Sequence, residues 1–316
     1  MTEVYTLSSQ RERLKRLEPY IGQTPLFRIS HVFQKPGVEI YAKLEWHQFA
    51  GSVKARAAFQ IMKHAVENDE LSDGRILLDA SSGNTAIAYA AIGAALGVRV
   101  KICLPENASS ARKQLLEAYG AEIHFTSPFG TTDEAQEEAK RIYRENPELY
   151  YYADQYNNPN NWGAHYTHTA EEIFEQTKGR ITHFVCGVGT SGTFVGTSRK
   201  LRELNKDITL VSLQPEAALH GLEGWKHMKT ARVPGIYDPS IAHQTLTVES
   251  QEALDLIRLT ALKEGLLLSP SSAANLAGAI ALAKHVEEGV IVTVFPDMGE
   301  RYSEVLKELY KGNRNG

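Results

Sequence analysis

Val38-Glu39-Ile40-Tyr41-Ala42-Lys43-Leu44-Glu45, followed by Gly51-Ser52-Val53-Lys54-Ala55-Arg56 and a helical pattern running to Met62, decides how the chain is built. The first run reads as a strand and the second as the turn that opens a helix. Lys54 therefore falls in a strand-to-helix turn. In an open α/β sheet, ligands collect at such turns, beyond the carboxyl ends of the strands. A lysine desolvated there, beside other positive partial charge, gives up its proton more readily and can form a Schiff base. A solvated helix-start lysine, or a plain cation for an anion, accounts for the same residue more simply. This stretch alone leaves all three readings open.

Outward from it, extended and helical patterns alternate. Strands are predicted at 38–45, 75–80, 98–104 and 121–126, and helices at 52–67, 85–96, 109–119 and 132–145. A second series gives a helix at 160–177, a strand at 182–186, a helix at 192–204, a strand at 208–213, helices at 250–264 and 271–287, and a strand at 290–295. Residues 11–17 read as a short charged helix, and Ile21-Gly22-Gln23-Thr24-Pro25-Leu26-Phe27 as a turn leading into a strand. Such alternation predicts an α/β protein with parallel strands and crossover helices. The segments near 146–160 and 214–248 are the least patterned, and long loops in compact domains are often functional.

With 316 residues the chain exceeds the usual single-domain size, so two lobes are expected, 1–155 and 156–316, with the first strands able to pair into the second lobe's sheet. A composition of 42% hydrophobic and 23% charged residues is that of an ordinary globular protein. Thirty-four basic residues against 38 acidic ones, with no basic stripe interleaved with aromatics, argue against a nucleic-acid partner. Cys103 and Cys186 each sit in an apolar run without a metal-type spacing partner, so neither a disulfide framework nor a metal site is expected. His165 and His168, three apart on a predicted helix, are too few for a metal and read as surface or packing residues. The start of the chain has no signal-peptide pattern, and its most apolar run, Ala86 to Val98, is too short to span a bilayer. The expectation is a cytoplasmic protein with no membrane partner.

Three more turns carry chemistry. Ser81-Ser82-Gly83-Asn84-Thr85 follows Ile76-Leu77-Leu78-Asp79-Ala80 and opens an Ala-rich helix. Free helix-start amides with small hydroxyls can receive a carboxylate or phosphate, although the same residues serve as ordinary caps. Gly187-Val188-Gly189-Thr190-Ser191-Gly192-Thr193 opens a second helix. Its G-x-G-x-x-G lies outside the first βα unit, and no acidic residue ends a strand about 20 positions on, so a monophosphate cup suits it better than a dinucleotide site. Ser269-Pro270-Ser271-Ser272 opens a third helix and, taken alone, reads as capping.

In this order, Ile21-Gly22-Gln23-Thr24-Pro25-Leu26, Gly51-Ser52-Val53-Lys54, Ser81 to Thr85, Gln155-Tyr156-Asn157-Asn158-Pro159, Gly189 to Thr193, Ser271-Ser272 and Pro296-Asp297-Met298-Gly299-Glu300-Arg301-Tyr302 resemble the cysteine synthase family of fold-type II pyridoxal phosphate enzymes, in the tryptophan synthase β-like superfamily. The likeness covers nearly the whole chain. It implies two open twisted sheets flanked by helices, a pyridoxal 5'-phosphate cofactor and a homodimer. It also implies that Lys54 forms the Schiff base and acts as base, that Gly189, Thr190, Ser191, Gly192 and Thr193 hold the cofactor phosphate, that Asn84 meets the phenolic oxygen, and that Ser271 meets the pyridine nitrogen. Ser82, Gly83, Asn84, Thr85 and Gln155 would bind the substrate. A neutral serine at the pyridine nitrogen makes a weaker electron sink than a carboxylate would, which disfavours long-lived carbanions. Loss of the α-proton with departure of a β-substituent, followed by attack of sulfide or a thiol, is then favoured.

The implied reaction is β-replacement on an O-activated L-serine, O-acetylserine or O-phosphoserine, with sulfide or another sulfur donor, giving L-cysteine. The alternative within the fold is a cystathionine β-synthase-like or serine/threonine dehydratase-like enzyme. From other classes, a Rossmann dehydrogenase and a catalytically silent partner-binding homologue remain. Departures from the family pattern are Gln48-Phe49 for Asn-Pro, Ala55 for Asp, and Ala86, Ser191 and Ala273 for Gly. Ser191 is compatible with phosphate binding provided its backbone does not need positive φ. In the 219–235 segment, Lys226, His227 or Arg232 can face the leaving group or sulfur donor, or form an ordinary basic surface loop.

Overall fold

The computed structural model describes residues 9–130 and 132–311. In chain order the elements are α1 (Gln10–Leu17), β1 (Leu26–Ile29), β2 (Val38–Leu44), α2 (Lys54–Glu67), β3 (Ile76–Ala80), α3 (Asn84–Leu96), β4 (Val100–Pro105), α4 (Ser110–Ala118), β5 (Glu122–Thr126), α5 (Thr132–Glu145) and β6 (Tyr150–Tyr152). Then follow α6 (Pro159–Ala164), a π-helical turn (His165–Thr169), α7 (Ala170–Gln176), β7 (His183–Gly187), α8 (Gly192–Leu204), β8 (Thr209–Pro215), β9 (Gln244–Val248), α9 (Ser250–Lys263), α10 (Pro270–Ala283), β10 (Gly289–Phe295) and α11 (Ser303–Tyr310). The helix expected at 160–177 is thus interrupted by the π turn, and the one expected at 271–287 stops at Ala283.

Two compact units form. Among the described residues, the first takes 9–21 and 54–160, and the second takes Gly22–Val53 and 161–311. In the first unit the strands run in the order β5-β4-β3-β6, all parallel. Every residue of β3 is buried, as a strand covered on both faces requires. Ile76, Leu78 and Ala80 pack with Cys103 and with Ala135, Ala139 and Ile142 of α5. α3 is apolar around nearly its whole circumference and is buried accordingly, ending at Gly97 with φ 73°, a left-handed cap. Ser9 and Glu12 close a capping box at the start of α1.

In the second unit the order is β1-β2-β10-β7-β8-β9, with β1 antiparallel to β2 and the rest parallel. β2 belongs here because Val38–Leu44 lies in register along Gly289–Phe295 and buries Ile40, Ala42 and Leu44 in the core shared with α9 and α10. A second core joins Phe184 and Val292 to Phe194 and Leu201 of α8. Lys43, fully buried, is matched by Glu172 at 2.6 Å and by the Thr24 carbonyl at 2.6 Å. No helix among the described residues is long and apolar enough to cross a membrane.

Candidate active site

β2 ends in a turn held by many fixed groups before Lys54 opens α2. Gln48 donates through Nε2 to the Glu45 carboxylate at 2.8 Å and accepts the Gly22 amide at 3.1 Å, so this departure from the family pattern ties the turn to its own strand. Ala50 and Gly51 both take left-handed conformations, φ 64° and 62°. A side chain on Gly51 would strike Arg301 Nη2 at 2.5 Å, which itself donates to the Ala50 carbonyl at 2.8 Å. The Val53 amide donates to the Pro296 carbonyl at 2.9 Å. Pro296 and Arg301 thus brace the turn from which the helix of Lys54 departs. Lys54 is half-buried, and Ala55 is fully buried, where the family's Asp would place a charge in the interior.

The end of β3 and the start of α3 gather the residues expected at a carboxylate. Thr85 Oγ1 donates to Gln155 Oε1 at 2.8 Å, and Gln155 Nε2 donates to the Ala80 carbonyl at 3.0 Å. The Gly83 amide donates to Ser81 Oγ at 3.2 Å, and Arg112 donates to the Ser82 carbonyl at 3.3 Å. Ser82, Gly83, Asn84 and Thr85 therefore form one short stretch, joined by Gln155 through Thr85 within the same unit, at a helix start whose amides lack intrahelical partners. Beneath it lies Asp79, whose carboxyl burial pushes up to about 7 while the Ala80 and Gln155 amides pull it down. Tyr89 of α3, also fully buried, has its phenol raised by burial first and by the Asp79 charge second. Burial pushes the Cys103 thiol up to about 12, which suits packing rather than attack.

β7 ends in the second cup. The Gly187 amide donates to Asn275 Oδ1 at 2.7 Å, and Asn275 Nδ2 donates to the Val294 carbonyl at 2.6 Å, so α10 fixes where the loop begins. A methyl on Gly189 would lie 2.0 Å from the Gly224 carbonyl oxygen. Asn161 Nδ2 donates to Thr190 Oγ1 at 3.3 Å, and His165 Nε2 lies 3.3 Å from Thr193 Oγ1. His165 and Asn161 are buried supports that the sequence reading did not assign to the cup. Ser191 has φ 72°, so the backbone does need positive φ here; the serine adopts it at a cost of roughly 1–2 kcal/mol, which strains the loop without removing the hydroxyl from it. Its Oγ is buried without a hydrogen-bond partner among the described residues.

At the start of α10 the three serines divide their work. Ser269 caps, accepting the Ser272 amide at 3.2 Å; Ser272 Oγ donates to the Asp297 carbonyl at 2.8 Å; Ser271 Oγ lies 3.2 Å from Ser269 Oγ. Ala273 is fully buried in the core behind them. The 219–235 segment docks on the β7 cup through the Lys226 amide, which donates to the Val188 carbonyl at 2.9 Å. Lys226 Nζ donates to the Arg232 carbonyl at 3.2 Å, His227 Nδ1 lies 2.8 Å from Thr230 Oγ1, and Arg232 is exposed. No group of three or more metal-ligating side chains occurs among the described residues.

The model of the pyridoxal-phosphate dependent enzyme family matches residues 17–297. The chain belongs to this family. It is 43% identical over 299 residues to the cysteine synthase of Aquifex aeolicus, covering 92% of this chain and 90% of that protein. Cysteine synthase B of Escherichia coli is 39% identical over 293 residues, covering 92% and 94%. The crystal structure of cysteine synthase from Entamoeba histolytica superimposes with a TM-score of 0.86 at 31% identity, covering 95% of each chain. The two-sheet architecture is therefore that of the fold-type II enzymes, and the chain is a pyridoxal phosphate enzyme.

The residues present fit the cofactor. The β7 cup combines helix-start amides, a glycine pressed against a carbonyl and the unsatisfied Ser191 hydroxyl, which a phosphate oxygen would satisfy. Ser191→Gly separates the two roles of that residue. Relief of the left-handed strain, less the unfolded-state entropy that glycine adds, is expected to raise the melting temperature of the cofactor-free protein by about 1–2 °C. Loss of a charge-assisted hydrogen bond should weaken pyridoxal phosphate binding by about tenfold. Unchanged affinity in a fluorescence titration would remove Ser191 from the phosphate's contacts.

Proposed function

We propose that the protein makes L-cysteine by replacing the β-substituent of an O-activated L-serine with sulfur. What carries the reading is the start of α3, where Thr85 is hydrogen-bonded to Gln155 beside Ser82, Gly83 and Asn84, in a chain whose relatives are cysteine synthases. Bound pyridoxal phosphate supplies an electron sink for the substrate's α-carbon. The chain does the rest. Lys54 Nζ would hold the cofactor, and its amine, once free, would be the base that takes the substrate's α-proton. The α3 amides with Thr85 and Gln155 orient the carboxylate, and the β7 cup anchors the phosphate. Ser271 would be a neutral partner for the ring nitrogen, which would favour expulsion of the β-substituent over prolonged carbanion life.

The deciding assay offers the holoenzyme O-acetylserine or O-phosphoserine with sulfide, and homocysteine in parallel. Cysteine is the expected product. Cystathionine from homocysteine in preference to cysteine, or pyruvate or 2-oxobutanoate from serine or threonine, would overturn the assignment. Arg232, exposed on the segment docked over the cup, is the group proposed to meet a charged leaving group. Arg232→Ala is expected to lower kcat/KM for O-phosphoserine about tenfold and to leave O-acetylserine within about twofold, since one charge-assisted contact is removed. An unchanged preference would take Arg232 out of the site. The reading includes a cytoplasmic homodimer, which light scattering would register at twice the chain mass.

A further inference from the structure

Beneath the start of α3 lies a carboxylate that the proposed chemistry does not use. Asp79 is fully buried in β3. β6 pairs with β3 only as far as Tyr152 opposite Leu78, and the Ala153 amide adds one more bond to the Leu78 carbonyl. Beyond that point side chains replace the missing strand. Asp79 Oδ1 accepts the Ala80 amide at 2.8 Å and Oδ2 accepts the Gln155 amide at 3.2 Å. Gln155 answers with its side chain: Nε2 donates to the Ala80 carbonyl at 3.0 Å, and Oε1 accepts from Thr85 Oγ1 at 2.8 Å.

An apolar residue would suit a strand buried on both faces better, because a lone buried carboxyl costs stability unless its hydrogen bonds are met. What the carboxylate adds is placement. It holds the backbone of Gln155 against the end of β3, and from there the side chain reaches both the Ala80 carbonyl and Thr85. The carbonyl forces the amide nitrogen to face it, which leaves Oε1 for the Thr85 hydroxyl. The orientation of the first turn of α3 thus depends on Asp79 through Gln155.

We propose that Asp79 is a positioning residue of the substrate-carboxylate site, fixing Gln155 against Thr85 so that the start of α3 is set for an α-amino acid. The proposal rests on the reading of that helix start as the carboxylate site. Asp79→Asn keeps the shape of the side chain but turns an NH2 group toward one of the two amides it must accept. L-Alanine, an amino acid without a leaving group, is titrated into the holoenzyme and followed by the cofactor absorbance. Its dissociation constant is expected to rise about tenfold in Asp79→Asn, as the loss of one buried hydrogen bond implies. KM for the O-activated serine should rise in parallel, while kcat stays within about threefold and pyridoxal phosphate affinity is unchanged.

Gln155→Met, of similar length and without polar donors or acceptors, should weaken L-alanine as much or more. The double variant should be no worse than Gln155→Met alone, because Asp79 acts through Gln155. Asp79→Val, which suits a buried strand, repeats the comparison if the Asn protein does not fold. Wild-type affinity for L-alanine in a folded Asp79 variant, or full additivity in the double variant, overturns the proposal. A wild-type holoenzyme that binds pyridoxal phosphate but no amino acid overturns the carboxylate-site reading, and the role of Asp79 with it.

Discussion

Lys54→Ala is expected to form cysteine at least about a thousandfold more slowly than the wild type, within the range removed when a positioned general base is lost. Folding should not account for the loss. Lys54 is half-buried at the first position of α2, where alanine is at least as good a helix former, and the turn before it is held by Pro296, Arg301 and Gln48. Its melting temperature should therefore stay within a few degrees of wild type. Borohydride reduction gives an independent signature: a cofactor-sized mass increase on the wild-type peptide containing Lys54, and none on the variant. Lys54→Arg decides between the readings that the sequence leaves open. A guanidinium keeps the positive charge and can still serve an anion, but it does not give up its proton at working pH. If Lys54 acts as an amine, the arginine variant is as inactive as the alanine variant. Substantial turnover in Lys54→Arg, or borohydride trapping on another lysine, would reduce Lys54 to a simple cation.

The places where chemistry-bearing turns occur are legible in the sequence because each is announced locally. Small and hydroxylated residues after an apolar run fix the ends of β2, β3 and β7 to within a few residues. Elements that depend on distant partners are less legible. β6 is only three tyrosines long, and β9 exposes most of Gln244–Val248 at the edge of its sheet, so neither carries a clear period. β2 pairs with β10, some 250 residues later, and nothing in Val38–Leu44 announces that neighbour. The same holds within the site. Ser191 is visible as a hydroxyl in a glycine-rich loop, but its left-handed backbone is a property of the closed turn. His165 offers only a histidine on a helical pattern, and its approach to Thr193 follows from the π turn that interrupts that helix. Asp79 reads as an ordinary residue of an apolar run until Gln155, 76 positions away, is brought to its carboxylate.

Gly189→Ala is expected to weaken pyridoxal phosphate binding by about ten- to a hundredfold. The added methyl would stand 2.0 Å from the Gly224 carbonyl oxygen, well inside any real carbon–oxygen contact. The obstacle is backbone rather than the end of a flexible side chain, so it cannot swing aside. On one side of it Trp225 is buried in the core, and the Lys226 amide is hydrogen-bonded to the Val188 carbonyl at 2.9 Å. Either this segment lifts from the cup or the cup itself opens, and overpacking of this kind costs about 1–3 kcal/mol. In both cases the amides of residues 189–193, which are proposed to hold the phosphate, are displaced from one another. Gly221→Ala is the control, because a methyl there meets nothing within 4 Å and the residue is exposed on the same segment. It should bind the cofactor within about twofold of wild type. Equal affinity in the Gly189 and Gly221 variants would mean that the close approach at Gly189 serves only the packing of the 219–235 segment, and the phosphate would have to be sought elsewhere.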